Sequence, residues 1–138
     1  MRWDEYIGIP FKFNGSDYNG ADCIGLVRLI YQERGWLPTF DDGKPVKQGW
    51  HKENPLRLVN YLCRHFNRVD NIQLLKEGDL IYFRDENGEG HVAIWVGYGK
   101  ILHSAPSIEG ISSTSHIGRM KHIQQSFVCA FARRVDDG

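Results

Sequence analysis

The residues of this chain best suited to chemistry are a cysteine and two histidines far downstream of it. Cys23 stands in Asp22-Cys23-Ile24-Gly25-Leu26-Val27-Arg28-Leu29-Ile30-Tyr31, at the head of an apolar helical pattern. His91 opens the run His91-Val92-Ala93-Ile94-Trp95-Val96-Gly97, and His103 follows in Lys100-Ile101-Leu102-His103-Ser104. A thiol becomes a strong nucleophile as the thiolate, which a helix N-terminus and a nearby imidazole both favour. A second polar side chain that holds the imidazole completes a Cys-His-X triad. The pattern points to a cysteine hydrolase, in which Cys23 attacks a carbonyl, His91 moves the proton and His103 orients His91.

Such a triad needs a rigid frame, and the sequence supplies one. Asp22 is placed to cap a helix that runs to about Arg34, where Gly35 stops it. We read Asp22 as that cap rather than as a catalytic acid. Leu26, Val27, Ile30 and Tyr31 share one face of the helix, so Cys23 is carried against the core. Ahead of it, Asp4 to Ile7 reads as a helical turn and residues 11–21 as a glycine- and asparagine-marked loop. Residues 36–54 read as an ordered loop. Pro55 to Phe66 reads as a second helix with Leu56, Val59, Leu62 and Cys63 as its apolar stripe. The period then changes: Asp79–Phe83, His91–Val96, Lys100–Ser104 and Phe127–Val135 read as strands. Helices first and antiparallel strands afterwards give an α+β fold, expected to be one domain over residues 1–138.

Register sets a hard condition on the triad. A plain two-residue turn at Tyr98-Gly99 pairs Ile94 with His103 and puts the two histidines on opposite faces of the sheet. A three-residue loop or a β-bulge puts them on the same face, and Gly97 and Gly99 make either one easy.

The remaining features exclude more than they assign. Lys plus Arg equals Asp plus Glu at 17 each, and no basic run stands out, so neither nucleic acid nor an anionic membrane surface is the expected partner. No apolar run is long enough to span a membrane, and the polar start, Met1-Arg2-Trp3-Asp4-Glu5-Tyr6, lacks the apolar core of a signal peptide. Cytoplasmic synthesis is expected, with export left to some other carrier. Three cysteines without CxxC spacing suit neither a disulfide framework nor a structural zinc site. Cys63 and Cys129 read as buried, inert residues, and His51, His65, His116 and His122 as surface or linker residues. No metal and no cofactor is expected.

These blocks resemble the NlpC/P60 family of papain-like cysteine peptidases, which cleave peptide stems and cross-bridges of bacterial cell walls. The resemblance runs from about Trp3 to Arg133. It rests on Ala21-Asp22-Cys23-Ile24-Gly25-Leu26-Val27, on Gly78-Asp79-Leu80-Ile81-Tyr82-Phe83, on Gly90-His91-Val92-Ala93-Ile94-Trp95-Val96-Gly97 and on Ile101-Leu102-His103-Ser104-Ala105. It implies a papain-like α+β domain with Cys23 as nucleophile, His91 as base and His103 as the third polar residue. The implied substrates are γ-D-glutamyl-diaminopimelate peptides of peptidoglycan. Short members of this type resemble those carried with phage tails, which implies phage tail proteins as partners and a virion-associated location.

Two positions depart from the family pattern. Ile24 stands where serine is customary, which implies a changed rim of the cleft. Phe11 stands twelve residues before Cys23, where the family often has an oxyanion-site tyrosine, and Tyr18 is the nearby candidate to replace its hydroxyl. Phe11 favours the rival reading, a non-catalytic phage tail assembly or wall-binding protein with an idle triad. A third reading keeps the triad but changes the acceptor, making an acyltransferase or an amidase of another substrate. Residues 36–54 and 85–90 are the two candidate lids.

Overall fold

The computed structural model of the chain describes residues 2–41, 43–47, 49–84, 90–104, 113–123 and 130–135; the side chains of His51, His122, Ile123 and Ala130 fall outside that description. The first half holds a small hairpin, β1 (Ser16–Asp17) and β2 (Gly20–Ala21), and three helices: α1 (Cys23–Arg34), α2 (Trp50–Glu53) and α3 (Arg57–His65). Then come β3 (Phe66–Val69), β4 (Leu80–Arg84), β5 (Gly90–Gly97), β6 (Lys100–His103), β7 (His116–Arg119), the short α4 (Met120–Ile123) and β8 (Ala130–Arg134). The fold is α+β, with a six-stranded sheet in the order β3-β8-β4-β5-β6-β7 and every pair antiparallel.

The ends of α1 are set by the two residues that the sequence marks. Asp22 is extended and its Oδ1 accepts a hydrogen bond from the Gly25 amide at 2.6 Å, while Gly35 closes the helix in the left-handed region. Gly25 is required for a further reason. A Cβ there would lie 1.6 Å from the Gly15 carbonyl oxygen, because the loop before β1 runs directly against the first turn.

Alternation divides the sheet into two apolar faces. Leu80, Tyr82, Val92, Ile94, Val96 and Leu102 pack beneath α1, against Ile24, Leu26, Val27, Ile30 and Tyr31. Ile81, Phe83, Ala93, Trp95 and Ile101 form a smaller cluster on the other face with Met120. The Gly78-Asp79 block is structural. The Tyr31 hydroxyl donates to the Gly78 carbonyl at 2.9 Å, and the buried Asp79 carboxylate pairs with Arg133 of β8 at 2.9 Å. The loop over residues 36–47 and α2 are tied down by the buried Arg57, whose guanidinium donates to the carbonyls of Lys44 and Pro45, and by Arg28, which donates to the carbonyl of Phe40.

Several boundaries differ from the sequence reading. Residues 16–21 are a two-rung hairpin rather than loop alone, and Trp50–Glu53 is helical. The second helix starts at Arg57, two residues late, and Phe66 already belongs to β3. Its buried residues are Arg57, Leu58 and Leu62, so Leu56 and Cys63 face solvent. Leu62 and Val59 of the expected stripe do pack inward, with Leu58 beside them, while Cys63 is exposed and not a buried, inert residue. β7 is a strand where a surface segment was expected, because its pairing with β6 offsets the weak strand propensity of Gly118. The first three residues of the expected strand Phe127–Val135, together with Cys129, Ala105 and loop positions 85–89, lie outside the described residues. Among the described residues no helix is long and apolar enough to cross a membrane.

Candidate active site

The hairpin β5–β6 meets the register condition through a bulge. Tyr98 and Gly99 form its two-residue turn, both at positive φ (54° and 72°), as a type I′ turn requires. Gly97 pairs with Lys100, but Trp95 pairs with Ile101 and Ile94 with Leu102, so Val96 is the extra residue. That shift of one puts His103 on the same face as Ala93 and His91. Their rings meet there, with His91 Nε2 3.0 Å from His103 Nδ1. Of the two irregular hairpins left open by the sequence, the bulged one is formed.

Cys23 approaches from the α1 side, at the edge of β5 beyond the end of β6. Its thiol is buried, and the amides of Val92, Ile24 and Cys23 itself point at the sulfur. Val92 directly follows His91 on β5; the His91 ring itself lies on the Phe83 face of the sheet, 6.0 Å from that ring, and among the described residues no hydrogen bond joins it to the sulfur. The buried Ser104 hydroxyl donates to the Ala21 carbonyl at 3.1 Å and fastens the end of β6 to the loop that delivers Cys23.

Asp22 is a structural carboxylate. Oδ1 takes the Gly25 amide and Oδ2 takes the Asn14 amide at 2.7 Å, so both oxygens are committed to backbone. The Leu26 amide is bonded to the Asp22 carbonyl, which leaves the Cys23 and Ile24 amides as the first-turn donors facing the sulfur. Those two are the groups placed to receive a developing oxyanion.

Burial dominates the electrostatics. It pushes the Cys23 thiol up to about 12, aided by the neighbouring Asp22 carboxylate and opposed by the three amides. It pushes His103 down to about 3, and it lowers His91 as well, with the imidazole of His116 adding to both shifts. These directions leave the thiol and the two imidazoles neutral at rest, not the thiolate–imidazolium pair that helix polarity alone would suggest. In the tautomer with His91 Nε2–H donating to His103 Nδ1, His91 Nδ1 is left as an acceptor.

Two expectations about the rim are corrected. Tyr18 is not an oxyanion donor. Its hydroxyl donates to Glu33 Oε1 at 2.7 Å, and Glu33 lies ten residues along α1 from Cys23, roughly 15 Å at the helical rise. Ile24 does not shape an open rim, since it is buried and faces Phe40, Leu58 and Tyr61. Phe11 is half-buried, edge-on to Phe13. Of the two candidate lids, the segment over 36–54 places Trp50 against Gly90, the residue before His91, and positions 85–89 of the other lie outside the described residues.

The sequence reading missed His116. It pairs directly with His103 across β6–β7, and the two rings lie 4.4 Å apart. Had residues 116–119 been read as a strand, register would have found it. Among the described residues no group of three His, Cys, Asp or Glu side chains is arranged to hold a metal ion.

A thiol at the head of a helix, packed on an antiparallel sheet that offers two histidines, is a papain-like arrangement. The NlpC/P60 family profile matches residues 8–131, and the chain belongs to that family. It is 33% identical over 118 residues to the gamma-D-glutamyl-L-lysine dipeptidyl-peptidase of Bacillus subtilis (strain 168), covering 81% of this chain and 34% of that protein. It is 29% identical over 115 residues to the murein DD-endopeptidase MepH of Escherichia coli (strain K12), covering 80% of this chain and 36% of that one. The chain thus spans about a third of the length of these relatives. Among solved structures it is similar to the NlpC/p60 domain of the peptidoglycan hydrolase SagA, with a TM-score of 0.54 at 25% identity over 96% of this chain and 92% of that one. The fold also matches NlpC2 from Trichomonas vaginalis, with a TM-score of 0.65 at 18% identity over 95% of this chain and 43% of that one.

Proposed function

We propose that this chain is a cysteine peptidase that hydrolyses amide bonds in peptidoglycan stem peptides, with residues 1–138 acting as one catalytic domain. The observation that carries the reading is the His91–His103 pair, joined at 3.0 Å between β5 and β6, with the amide of Val92, next after His91, pointing at the Cys23 sulfur. As a substrate carbonyl arrives, the Cys23 proton passes to His91 Nδ1 and the sulfur bonds to the carbonyl carbon. The Cys23 and Ile24 amides hold the oxyanion. Collapse expels the amine, which takes its proton from His91, and leaves a thioester. Water, deprotonated by the same imidazole, then releases the acid and restores the thiol. His103 is the residue that steadies His91 while it carries charge.

The bond assigned is the one following γ-D-glutamate in the stem peptide, of the γ-D-glutamyl-diaminopimelate type. Support comes from the family and from the relatives of Bacillus subtilis and Bacillus cereus, which are named for γ-D-glutamyl-L-lysine peptides. Carriage with phage tail proteins is part of the proposal and rests on the resemblance to short family members. The test is incubation with soluble muropeptides beside Cys23→Ala, with products read by mass spectrometry. Cys23-dependent release of a fragment ending in γ-D-glutamate is expected. Cleavage elsewhere would reassign the bond, and equal cleavage by Cys23→Ala would remove the mechanism.

One rival reading has observations of its own. An idle triad fits a thiol pushed up to about 12 and an oxyanion corner without a tyrosine hydroxyl. Alkylation of the free protein does not separate the two readings, because a buried neutral thiol reacts slowly in either case, and the exposed Cys63 contributes its own signal. Turnover separates them: no cleavage of a panel of muropeptides by folded protein favours the idle site.

A further inference from the structure

We propose that His116 is a positioning residue for the histidine pair and makes the site's capacity for positive charge depend on its own protonation; the inference rests on the peptidase reading above. The residue sits opposite His103 in the β6–β7 register, and the two rings lie 4.4 Å apart at 56°. His103 in turn bonds to His91, so the three imidazoles run in series from the solvent-exposed edge to the buried base. The orientation of His116 is fixed. Its Nδ1 lies 3.1 Å from the Thr114 carbonyl, which only accepts, so Nδ1 carries hydrogen and Nε2 is the atom that gains or loses a proton.

The surroundings make the coupling one-sided. Among the described residues, the titratable groups facing His116 are His103 from β6 and, behind it, His91 from β5. The N-terminal segment beside it supplies Pro10, bridged to Thr114, and Phe11, bonded to the Ser113 carbonyl, neither of which titrates. On its own strand Arg119 points to the opposite face by alternation. No carboxylate is paired with His116 among the described residues. Among the described residues, a proton on His116 therefore meets only imidazoles. On the peptidase reading His91 becomes an imidazolium, and a positive His116 opposes that across the tilted His103 ring, so the chemical step should slow as His116 is protonated.

The experiment compares wild type, His116→Gln and His116→Lys on muropeptide between pH 5 and 9, and follows the imidazole 15N signals of each. The wild-type kcat should fall in two acid steps and that of His116→Gln in one, the lower. His116→Lys should hold kcat down roughly three- to tenfold near pH 8, with KM little changed. A purely packing role would lower Gln and Lys alike and leave the number of steps unchanged. The 15N signals of His91 and His103 should respond to the His116 titration in wild type and lose that response in His116→Gln. Superimposed pH profiles, or 15N titrations of His91 and His103 identical in wild type and His116→Gln, would overturn the proposal. The 15N arm needs no turnover, so it decides the His116 coupling even if the peptidase reading fails.

Discussion

The two ends of α1 are built from opposite materials. At the N-terminal end every polar atom of Asp22 is committed to backbone, the Gly15 carbonyl presses on Gly25, and the thiol is buried among amides. At the C-terminal end the chemistry is aromatic. The hydroxyls of Tyr6 and Tyr18 both donate to Glu33, their rings stack at 6.3 Å, and the Arg34 guanidinium lies 4.1 Å from the Trp3 centroid. One end is closed by close backbone approach, the other by side chains that slide and share. The difference shows why the hydroxyls of Tyr6 and Tyr18 do not reach Cys23: they are held at the other end of the helix.

The sharpest break in that comparison is Cys23→Ala. Removing the nucleophile should cut turnover on the order of 10³-fold or more. The lost sulfur leaves little space and no broken hydrogen bond between side chains, so stability should change by about 1 kcal/mol or less. Parallel muropeptide assays and urea midpoints check both halves. A large loss of stability would mean that the thiol holds the N-terminal end together rather than merely occupying it.

Gly25→Ala attacks the same end through the backbone. The added methyl would sit 1.6 Å from the Gly15 carbonyl oxygen, and backbone yields less readily than a side chain. We expect a loss of about 3 kcal/mol, the upper part of the range for overpacking. Activity should fall with stability, since the loop that moves also feeds Ala21 and Asp22. A substitution at Gly35, the far end, meets no atom within 4 Å and strains only its positive φ. Gly35→Ala should therefore cost about 1 kcal/mol and leave kcat untouched. Equal effects on turnover would erase the distinction between the ends.

The Cys23 end also answers to pH. His103 titrates at about 3 in the fold against 6.5 ordinarily, so between those values the unfolded chain binds more protons. Stability from this group is present above 6.5 and is lost as pH falls toward 3. For the thiol, raised from 9.0 to about 12, the stability is present below 9 and is lost as pH climbs from 9 to 12. The site thus favours the folded state most between about pH 6.5 and 9. His103→Gln, which does not titrate, should flatten the acid limb of stability measured by denaturant midpoints from pH 4 to 7. An acid limb of unchanged steepness would place the sensitivity elsewhere.

What was legible in the sequence divides along the same line. The cap at Asp22, the stop at Gly35 and the alternation around His91 are local signals, written in consecutive residues, and each stands where it was read. The hairpin condition was legible as an alternative, because turn chemistry permits a bulge without requiring one; packing of Val96 beneath α1 goes with the bulged form. What depends on partners distant in sequence was not legible. His116 is a surface residue as read, but its place opposite His103 appears only when β7 pairs with β6, and Tyr18 looks available until Glu33, fifteen residues on, accepts its hydroxyl. Cys63 stands at the margin of the stripe: Leu62 and Val59 pack inward as read, and Leu58 rather than Cys63 completes the buried face.

The smallest effect expected belongs to the far end. Tyr18→Phe removes a half-exposed hydroxyl that bonds Glu33 and touches nothing at the site. Tyr6 still donates to the same carboxylate at 2.9 Å, so Glu33 keeps a partner and the cost should be about 0.5–1 kcal/mol. Turnover should stay within about twofold, because no oxyanion donor has been lost; a used donor is worth on the order of a hundredfold. Steady-state kinetics on muropeptide make the check. A tenfold fall in kcat with KM unchanged would show that the hydroxyl leaves Glu33 and reaches the reacting carbonyl during turnover. The two ends of α1 would then exchange a residue in the course of each cycle, and the oxyanion corner would hold three donors, not the two backbone amides at the head of the helix.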